Sequence, residues 1–206
     1  MTIRSRPLRC PCLLLGGARH RTPTGGRTMR RLYLLRHAKS SWDAPNLEDH
    51  DRPLAPRGQR AGRAMAAVVR HLAPRPDLVL CSTAARARET LDLVRGSLGA
   101  GVPVRIEGAL YAFDPHAVRR CLAQVDDAAG SVLVVGHNPA LECLAAELAP
   151  EDTGDPARRL RRKFPTAALA TLDVPAARWQ DLTGPHASAR IVAFTRPADV
   201  ESMSAA

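Results

Sequence analysis

Residues 32–41 read LYLLRHAKSS, an apolar run that stops at Arg36 and His37 and then turns polar. The run is too short for a helix and too continuous for a half-exposed strand, so it predicts a central strand of a parallel sheet that is covered on both faces. Sheets of this kind bind ligands at the carboxyl ends of their strands. We therefore expect Arg36 and His37 to share a crevice there, provided that the backbone turns out of the sheet directly after the strand.

The composition predicts one globular domain. The chain has 206 residues, of which 45% are hydrophobic, and this is enough for one substantial core. No apolar run approaches the roughly 20 residues of a membrane span, so we expect a soluble, cytoplasmic protein with no membrane partner. The cysteines are odd in number, and those beyond residue 80 lie in apolar segments without metal-ligand spacing, which predicts reduced core thiols. The five cysteines are Cys10, Cys12, Cys81, Cys121 and Cys143.

The formal net charge of +10 is concentrated at one end of the chain. Residues 1–28 contain six arginines and no acidic residue, which leaves 24 basic and 20 acidic side chains, or +4, for residues 29–206. We predict that residues 1–28 are a basic, disordered extension, or follow an upstream start that the cell does not use, and that residues 29–206 form the domain. Nucleic-acid binding is a third-ranked hypothesis, since an aromatic content of 3% offers few stacking platforms. We therefore expect no nucleic-acid partner.

Strands and helices alternate along the rest of the chain, which predicts an α/β domain with a mainly parallel sheet. Further apolar runs predict strands, the last two of them at one edge of the sheet, and helical spacing of apolar residues predicts helices between the strands. The predicted strands cover residues 77–81, 102–106, 132–136, 167–174 and 190–194, and the predicted helices cover residues 56–72, about 84–94, 115–125 and 140–148.

Several side chains are expected to begin helices. Ser82 or Thr83 is expected to cap the helix that follows, Asp114 to cap the next helix, and Asn138 to cap the helix after the strand at 132–136. The N-terminus of that last helix would favour an anion beside His137.

The connections are predicted to be polar. The long connection 38–55 is expected to form one wall of a pocket, with Trp42 as an anchor packed on the core rather than a substrate-stacking ring. Arg88 and Glu89 are expected to lie on the solvated surface. Residues 158–163 are expected to form a solvated basic face, with docking to an acidic partner as the alternative.

Basic side chains follow three separate predicted strands: Arg36 with His37, then Arg86, then His137. Arginine forks suit phosphate oxygens, and a neutral imidazole, kept neutral by neighbouring cations, can attack phosphorus. A second, protonated histidine would stabilise the charge on the transferring group. The chain contains no HExxH or CxxC motif, and adjacent arginines would repel a metal ion, so the chemistry is expected to need no metal and no cofactor.

Three stretches resemble the signatures of the histidine phosphatase superfamily, which includes phosphoglycerate mutases: LRHAKS at 35–40, STAARARET at 82–90 and VGHNP at 135–139. The resemblance is closest to the SixA-like branch of phosphohistidine phosphatases and extends over residues 31–149 at least. It implies a three-layer α/β/α sandwich with a mainly parallel central sheet, similar to that of phosphoglycerate mutase. It also implies that His37 accepts the phosphoryl group as phosphohistidine, while Arg36, Arg86 and His137 hold that group.

Larger members of that superfamily add an acidic residue that protonates the leaving oxygen, and no acidic residue between Arg86 and His137 lies in a recognisable acid signature. An imidazole leaving group needs little such help, because it can already be protonated in the substrate. The hypothesis is therefore a monomeric phosphatase of phosphohistidine in proteins. The alternatives are a phosphatase of small phosphomonoesters with good leaving groups and a non-catalytic phosphate-binding module.

Overall fold

A six-stranded sheet forms the centre of the computed structural model, which describes residues 28–43 and 46–204. The spatial order of the strands is β3-β2-β4-β1-β5-β6, in which β1 to β4 run parallel and β5 runs antiparallel to both β1 and β6. The predicted mainly parallel sheet, with its last two strands at one edge, is confirmed. The strands are β1 (Met29–Arg36), β2 (Leu78–Ser82), β3 (Val104–Glu107), β4 (Ser131–Gly136), β5 (Leu169–Pro175) and β6 (Arg190–Thr195).

Helices cover both faces of the sheet. Side chains of β1 alternate between two buried clusters: Leu32 and Leu34 pack with α3, α4 and α5, whereas Tyr33 and Leu35 pack with α1 and α2. This arrangement is the predicted α/β/α sandwich. The helices are α1 (Pro56–Arg70), α2 (Ala85–Leu98), α3 (Pro115–Ala123), α4 (Ala140–Leu148), α5 (Asp155–Arg162) and α6 (Pro197–Ser204).

β1 is the buried strand that the apolar run predicts. It pairs with β4 on one side and with β5 on the other, and the four side chains from Leu32 to Leu35 are fully buried. After Arg36 the backbone leaves the sheet: the His37 N–H still donates to the Gly136 carbonyl at 2.9 Å, and residues 37–39 have no strand structure. The turn that brings Arg36 and His37 to one crevice is therefore present.

Helix capping differs from the expectation at two of three helices. Asp114 caps α3 as predicted, since its carboxylate accepts a hydrogen bond from the His116 N–H at 2.9 Å. The residues at the N-caps of α2 and α4 are Ala84 and Pro139, and neither helix has a side-chain cap hydrogen bond. Ser82 Oγ accepts a hydrogen bond from the N–H of Ala84 itself at 3.4 Å, and the Asn138 amide donates to the Glu142 side chain in the first turn of α4.

Three surface expectations are wrong. Trp42 is 71% exposed, and its ring lies against the Arg52 guanidinium, 3.2 Å from the ring centroid, rather than on the core. Glu89 is half-buried because its carboxylate accepts a hydrogen bond from the Leu54 N–H at 2.9 Å. Cys143 is exposed on α4, whereas Cys81 and Cys121 are buried as predicted.

The predictions for residues 1–28, and for Cys10 and Cys12, concern residues outside the described ranges, apart from Thr28. Among the described helices, none combines the length and the apolar character that crossing a membrane requires.

Replacing Gly58 by alanine is expected to lower the free energy of unfolding by about 1–3 kcal/mol, because the new Cβ would lie 2.1 Å from the Lys39 carbonyl oxygen. The matched control is Gly96→Ala in the exposed part of α2, where a Cβ meets no atom within 4 Å. That control is expected to raise the free energy of unfolding by about 0.5–1 kcal/mol. Urea unfolding of both variants measures the difference, and equal effects would contradict the close contact.

Candidate active site

Three adjacent strands deliver the candidate residues to one edge of the sheet. Arg36 ends β1 and His37 follows it, His137 directly follows β4, and Arg86 lies in the first turn of α2 after β2. The imidazole rings of His37 and His137 are 4.8 Å apart between centroids. Both arginines act electrostatically on both histidines. The structure thus brings together all four residues that the sequence singles out.

His37 is held as a neutral imidazole with one nitrogen available. Its Nδ1 lies 2.7 Å from the Ala38 carbonyl oxygen, and a carbonyl only accepts, so Nδ1 carries the proton and Nε2 keeps its lone pair. Burial lowers the pKa of His37 to about 4; the Ala38 hydrogen bond opposes this shift, and the charges of Arg86 and Arg36 reinforce it. His37 can therefore act as a nucleophile at physiological pH.

His137 is more deeply buried, with 1% of its surface exposed. Its Nε2 lies 2.8 Å from the Ser82 hydroxyl oxygen, and its Nδ1 is buried without a hydrogen-bond partner among the described residues. Burial lowers the pKa of His137 to about 3, and the neighbouring His37 and Arg86 act in the same direction. Desolvation thus favours the neutral imidazole of His137 in this environment, and the protonated form that would stabilise the transferring group stays a prediction.

The two guanidiniums are fixed by protein oxygens. Arg36 Nη1 donates to the Phe164 carbonyl at 2.6 Å, and its Nε is buried without a partner among the described residues. Arg86 donates through Nη1 to the Asp49 carbonyl at 2.5 Å and through Nη2 to the Asp49 carboxylate at 3.0 Å. Each arginine is thus oriented by contacts to part of its donor fork, and its other N–H groups remain for an anion.

Asp49 is a residue that the sequence analysis missed. Its carboxylate contacts Arg86, accepts a hydrogen bond from the Tyr111 hydroxyl at 2.8 Å, and pairs with Arg52 at 2.8 Å. Partial burial acts to raise the pKa of Asp49, but the Tyr111 hydrogen bond and the charge of Arg86 outweigh it and hold this pKa below its usual value. This carboxylate supplies the counter-charge that an arginine in the first turn of a helix requires.

An available signal for Asp49 is the acidic character of the connection 38–55, which the sequence analysis treated as a pocket wall. The search of the sequence for a proton donor covered only the acidic residues between Arg86 and His137. Asp49 precedes Arg86 in the chain, so it was not among them.

Aromatic rings close one side of the site. Tyr111 and Phe113 pack edge-on against His137 with centroid distances of 5.6 and 5.3 Å, and His50 packs on Tyr111 at 5.1 Å. These rings keep water from much of the His137 imidazole, which is one physical source of its desolvation. No role for the aromatic residues at 111 and 113 follows from their sequence pattern.

Asn138 and Ser82 fix the turn around His137. The Asn138 side-chain amide donates to the Glu142 carboxylate at 2.6 Å and to the Phe164 carbonyl at 3.1 Å, so it ties β4 to the residues that also orient Arg36.

Within residues 28–43 and 46–204, no group of three or more His, Cys, Asp or Glu side chains could hold a metal ion.

The chain matches the family model of the histidine phosphatase superfamily (branch 1) over residues 32–114. A solved structure of a proposed phosphohistidine phosphatase SixA from Nakamurella multipartitia is 33% identical, with a TM-score of 0.70 and coverage of 82% of this chain and 96% of that one. Its counterpart from Agrobacterium tumefaciens is 32% identical, with a TM-score of 0.67 and coverage of 82% and 98%. An uncharacterised protein of Mycobacterium leprae is 41% identical over 167 residues, which are 79% of this chain and 99% of that protein.

Acidification is expected to destabilise the fold in a specific pH window. In the folded protein the pKa of His37 is about 4 and that of His137 about 3, whereas both are near 6.5 once unfolded. Between these values the unfolded chain binds more protons, so the free energy of unfolding falls as the pH is lowered from 6.5 towards 4. In His37→Gln one of the two groups is removed, and the slope is expected to decrease by about 1.4 kcal/mol per pH unit.

Urea unfolding over a series of pH values measures this slope. His116→Gln, at an exposed position on α3, is the matched control and should keep the wild-type slope. If the slope of His37→Gln equals that of the wild type, His37 is not buried in its neutral form.

Proposed function

The chain belongs to the SixA-like branch of the histidine phosphatase superfamily, and from this membership we propose that it hydrolyses phosphohistidine in proteins through a phosphohistidine intermediate on His37. Membership supports phosphatase activity on a phosphorylated substrate. The intermediate, the roles of the four residues and the identity of the substrate rest on the geometry of the site.

His37 is the proposed nucleophile. Its unprotonated Nε2 forms the new N–P bond while the bond between phosphorus and the substrate imidazole breaks, and the electron pair of that bond leaves with the imidazole. Water then attacks the phosphorus of phosphohistidine 37, inorganic phosphate is released, and His37 returns to its neutral form. The hydrogen bond from Nδ1–H to the Ala38 carbonyl supports this assignment, because it fixes the required tautomer.

Arg36, Arg86 and His137 are the proposed phosphoryl-binding residues. The two guanidiniums supply fixed positive charge that acts on both histidines, so the proposed transfer needs no metal ion. A phosphoryl dianion beside His137 would raise the pKa of its imidazole, since an opposite charge favours the protonated form. His137 would then take on the role of cationic stabiliser once the substrate is bound.

The ionised carboxylate of Asp49 is the observation that supports phosphohistidine as the substrate. This carboxylate contacts Arg86 and is therefore near the phosphoryl position, but its pKa is held below the usual value, so it is a poor proton donor. A sugar alkoxide leaving group would need a strong acid at this point, whereas a protonated imidazole leaves without one. The electrostatics of the site thus favour a substrate whose leaving group already carries its proton.

His37→Ala is expected to abolish acid-labile labelling of the enzyme by a ³²P-labelled phosphohistidine peptide and to lower kcat by about 10³-fold or more. Rapid quenching, gel separation and acid treatment measure the label, and steady-state phosphate release measures kcat. The matched control is His116→Ala, at an exposed histidine outside the site, which should label as the wild type does. Acid-labile label on the His37→Ala protein would exclude His37 as the acceptor.

The proposed substrate class predicts a kcat/KM for a phosphohistidine peptide that exceeds that for sugar phosphates by about 10²-fold or more, since this is the usual contribution of a general acid that an alkoxide would need. A panel of both classes at equal ionic strength measures the ratio. Faster release of phosphate from sugar phosphates would refute the preference and favour the small-molecule alternative.

A further inference from the structure

A basic cavity opens beside Arg36, outside the histidine pair. Its volume is about 640 Å³, and it lies between the segment that follows β1, the start of α1 and the segments that flank β5 and β6. Five cationic residues and one acidic residue line it. We call it the basic pocket, and its charged lining residues are Arg36, Lys39, Arg57, Lys163, Arg196 and Glu201.

Three of the five cations in the basic pocket have neither an ion pair nor a side-chain hydrogen bond among the described residues. Arg196 is paired with Asp199 at 2.8 Å and Arg36 is hydrogen-bonded to the Phe164 carbonyl. The side chains of Lys39, Arg57 and Lys163 have no hydrogen bond or ion pair with any residue in the part of the chain that the structure describes. Like charges that face one cavity repel each other, and a bound anion would remove this repulsion.

Two of these cations start from defined backbone positions. The Lys39 carbonyl accepts a hydrogen bond from the Ala55 N–H at 2.8 Å and is covered by the close approach of Gly58. Arg57 lies in the first turn of α1, where the helix dipole disfavours a cation unless an anion is near. Arg86 also lies in the first turn of a helix, and there the Asp49 carboxylate supplies the negative charge.

The basic pocket is also connected to the candidate active site. Arg36 belongs to both, and Lys163 precedes Phe164, whose carbonyl orients the Arg36 guanidinium. Arg36 therefore borders both the proposed phosphoryl position at His37 and the basic pocket.

We propose that the basic pocket is a second anion-binding subsite, which receives acidic side chains that flank the phosphohistidine of a protein substrate. This inference rests on the proposed function. Arg57 and Lys163 are exposed, and the unpaired cations come from three separate segments rather than converging as a desolvated cradle. That spread suits several carboxylates along a peptide better than one additional phosphate group.

The test uses two phosphohistidine peptides of equal length that differ by glutamate or glutamine at the positions flanking the phosphohistidine. Wild-type protein is expected to favour the glutamate peptide by about fivefold or more in kcat/KM at low salt, since each exposed ion pair contributes a small factor. This preference should shrink towards unity as salt is raised, because exposed charges are screened over about 8 Å at physiological ionic strength.

Lys39→Gln/Lys163→Gln is the decisive variant, and it is expected to reduce the preference to about twofold or less. Arg63→Gln/Arg70→Gln is the matched control, since it removes the same charge from exposed positions of α1 that do not line the pocket. The control should keep the wild-type ratio. A loss of preference in both double variants would show a general effect of net charge and would overturn the subsite.

Two further outcomes separate this inference from the proposed function. Equal turnover of both peptides by the wild type at low salt would refute the subsite and leave the phosphohistidine activity established. Turnover of neither peptide, with hydrolysis of p-nitrophenyl phosphate intact, would refute the protein substrate and with it the assigned ligand of the pocket.

Discussion

The parallel pairing of β1 with β4 is the constraint on which the site depends. Its register sets Arg36 opposite Gly136, and the His37 N–H donates to the Gly136 carbonyl at 2.9 Å. The next residue of each strand is a histidine, so this register brings His37 and His137 together at the same edge of the sheet. A slip by one residue would send every side chain of β1 to the opposite face and would separate the two imidazoles. Such a slip would also carry Tyr33 into the opposite apolar cluster and break the hydrogen bond from its hydroxyl to the Pro74 carbonyl.

Burial then determines the chemistry that the pair can perform. Tyr111 and Phe113 pack against His137, and His37 is buried beside it. Both imidazoles are therefore shielded from water, and this desolvation lowers the pKa of each below the usual range of histidine. Two buried imidazolium ions beside two guanidiniums would repel strongly, so neutrality is the stable state. An anion bound beside His137, as proposed, would act in the opposite direction and favour the imidazolium.

The sequence predicts the sheet well because its signal is local. The run from Leu32 to Leu35 is buried on both faces, and a strand in that position must be apolar throughout. Caps are predicted poorly because they depend on which partner a side chain finds in the fold: Ser82 contacts His137 besides the Ala84 N–H, and Asn138 contacts Glu142 and Phe164 oxygens rather than a backbone N–H of α4. Asp49 was missed for the same reason, since 37 residues separate it from Arg86 along the chain.

The ion pair between Asp49 and Arg86 links the stability of the free protein to its affinity for a phosphoryl group. Without substrate, this carboxylate neutralises a buried guanidinium, whose 4% exposed surface gives water little access. A phosphoryl dianion supplies two negative charges to the same guanidinium, so it must either displace the carboxylate or share the arginine with it. Arg52 and Tyr111 hold the same carboxylate, so the connection that carries Asp49 fixes the orientation of the Arg86 guanidinium. The N–H groups of Arg86 that this carboxylate leaves free are the ones proposed to receive the phosphoryl group, so the connection orients the arginine before a substrate binds.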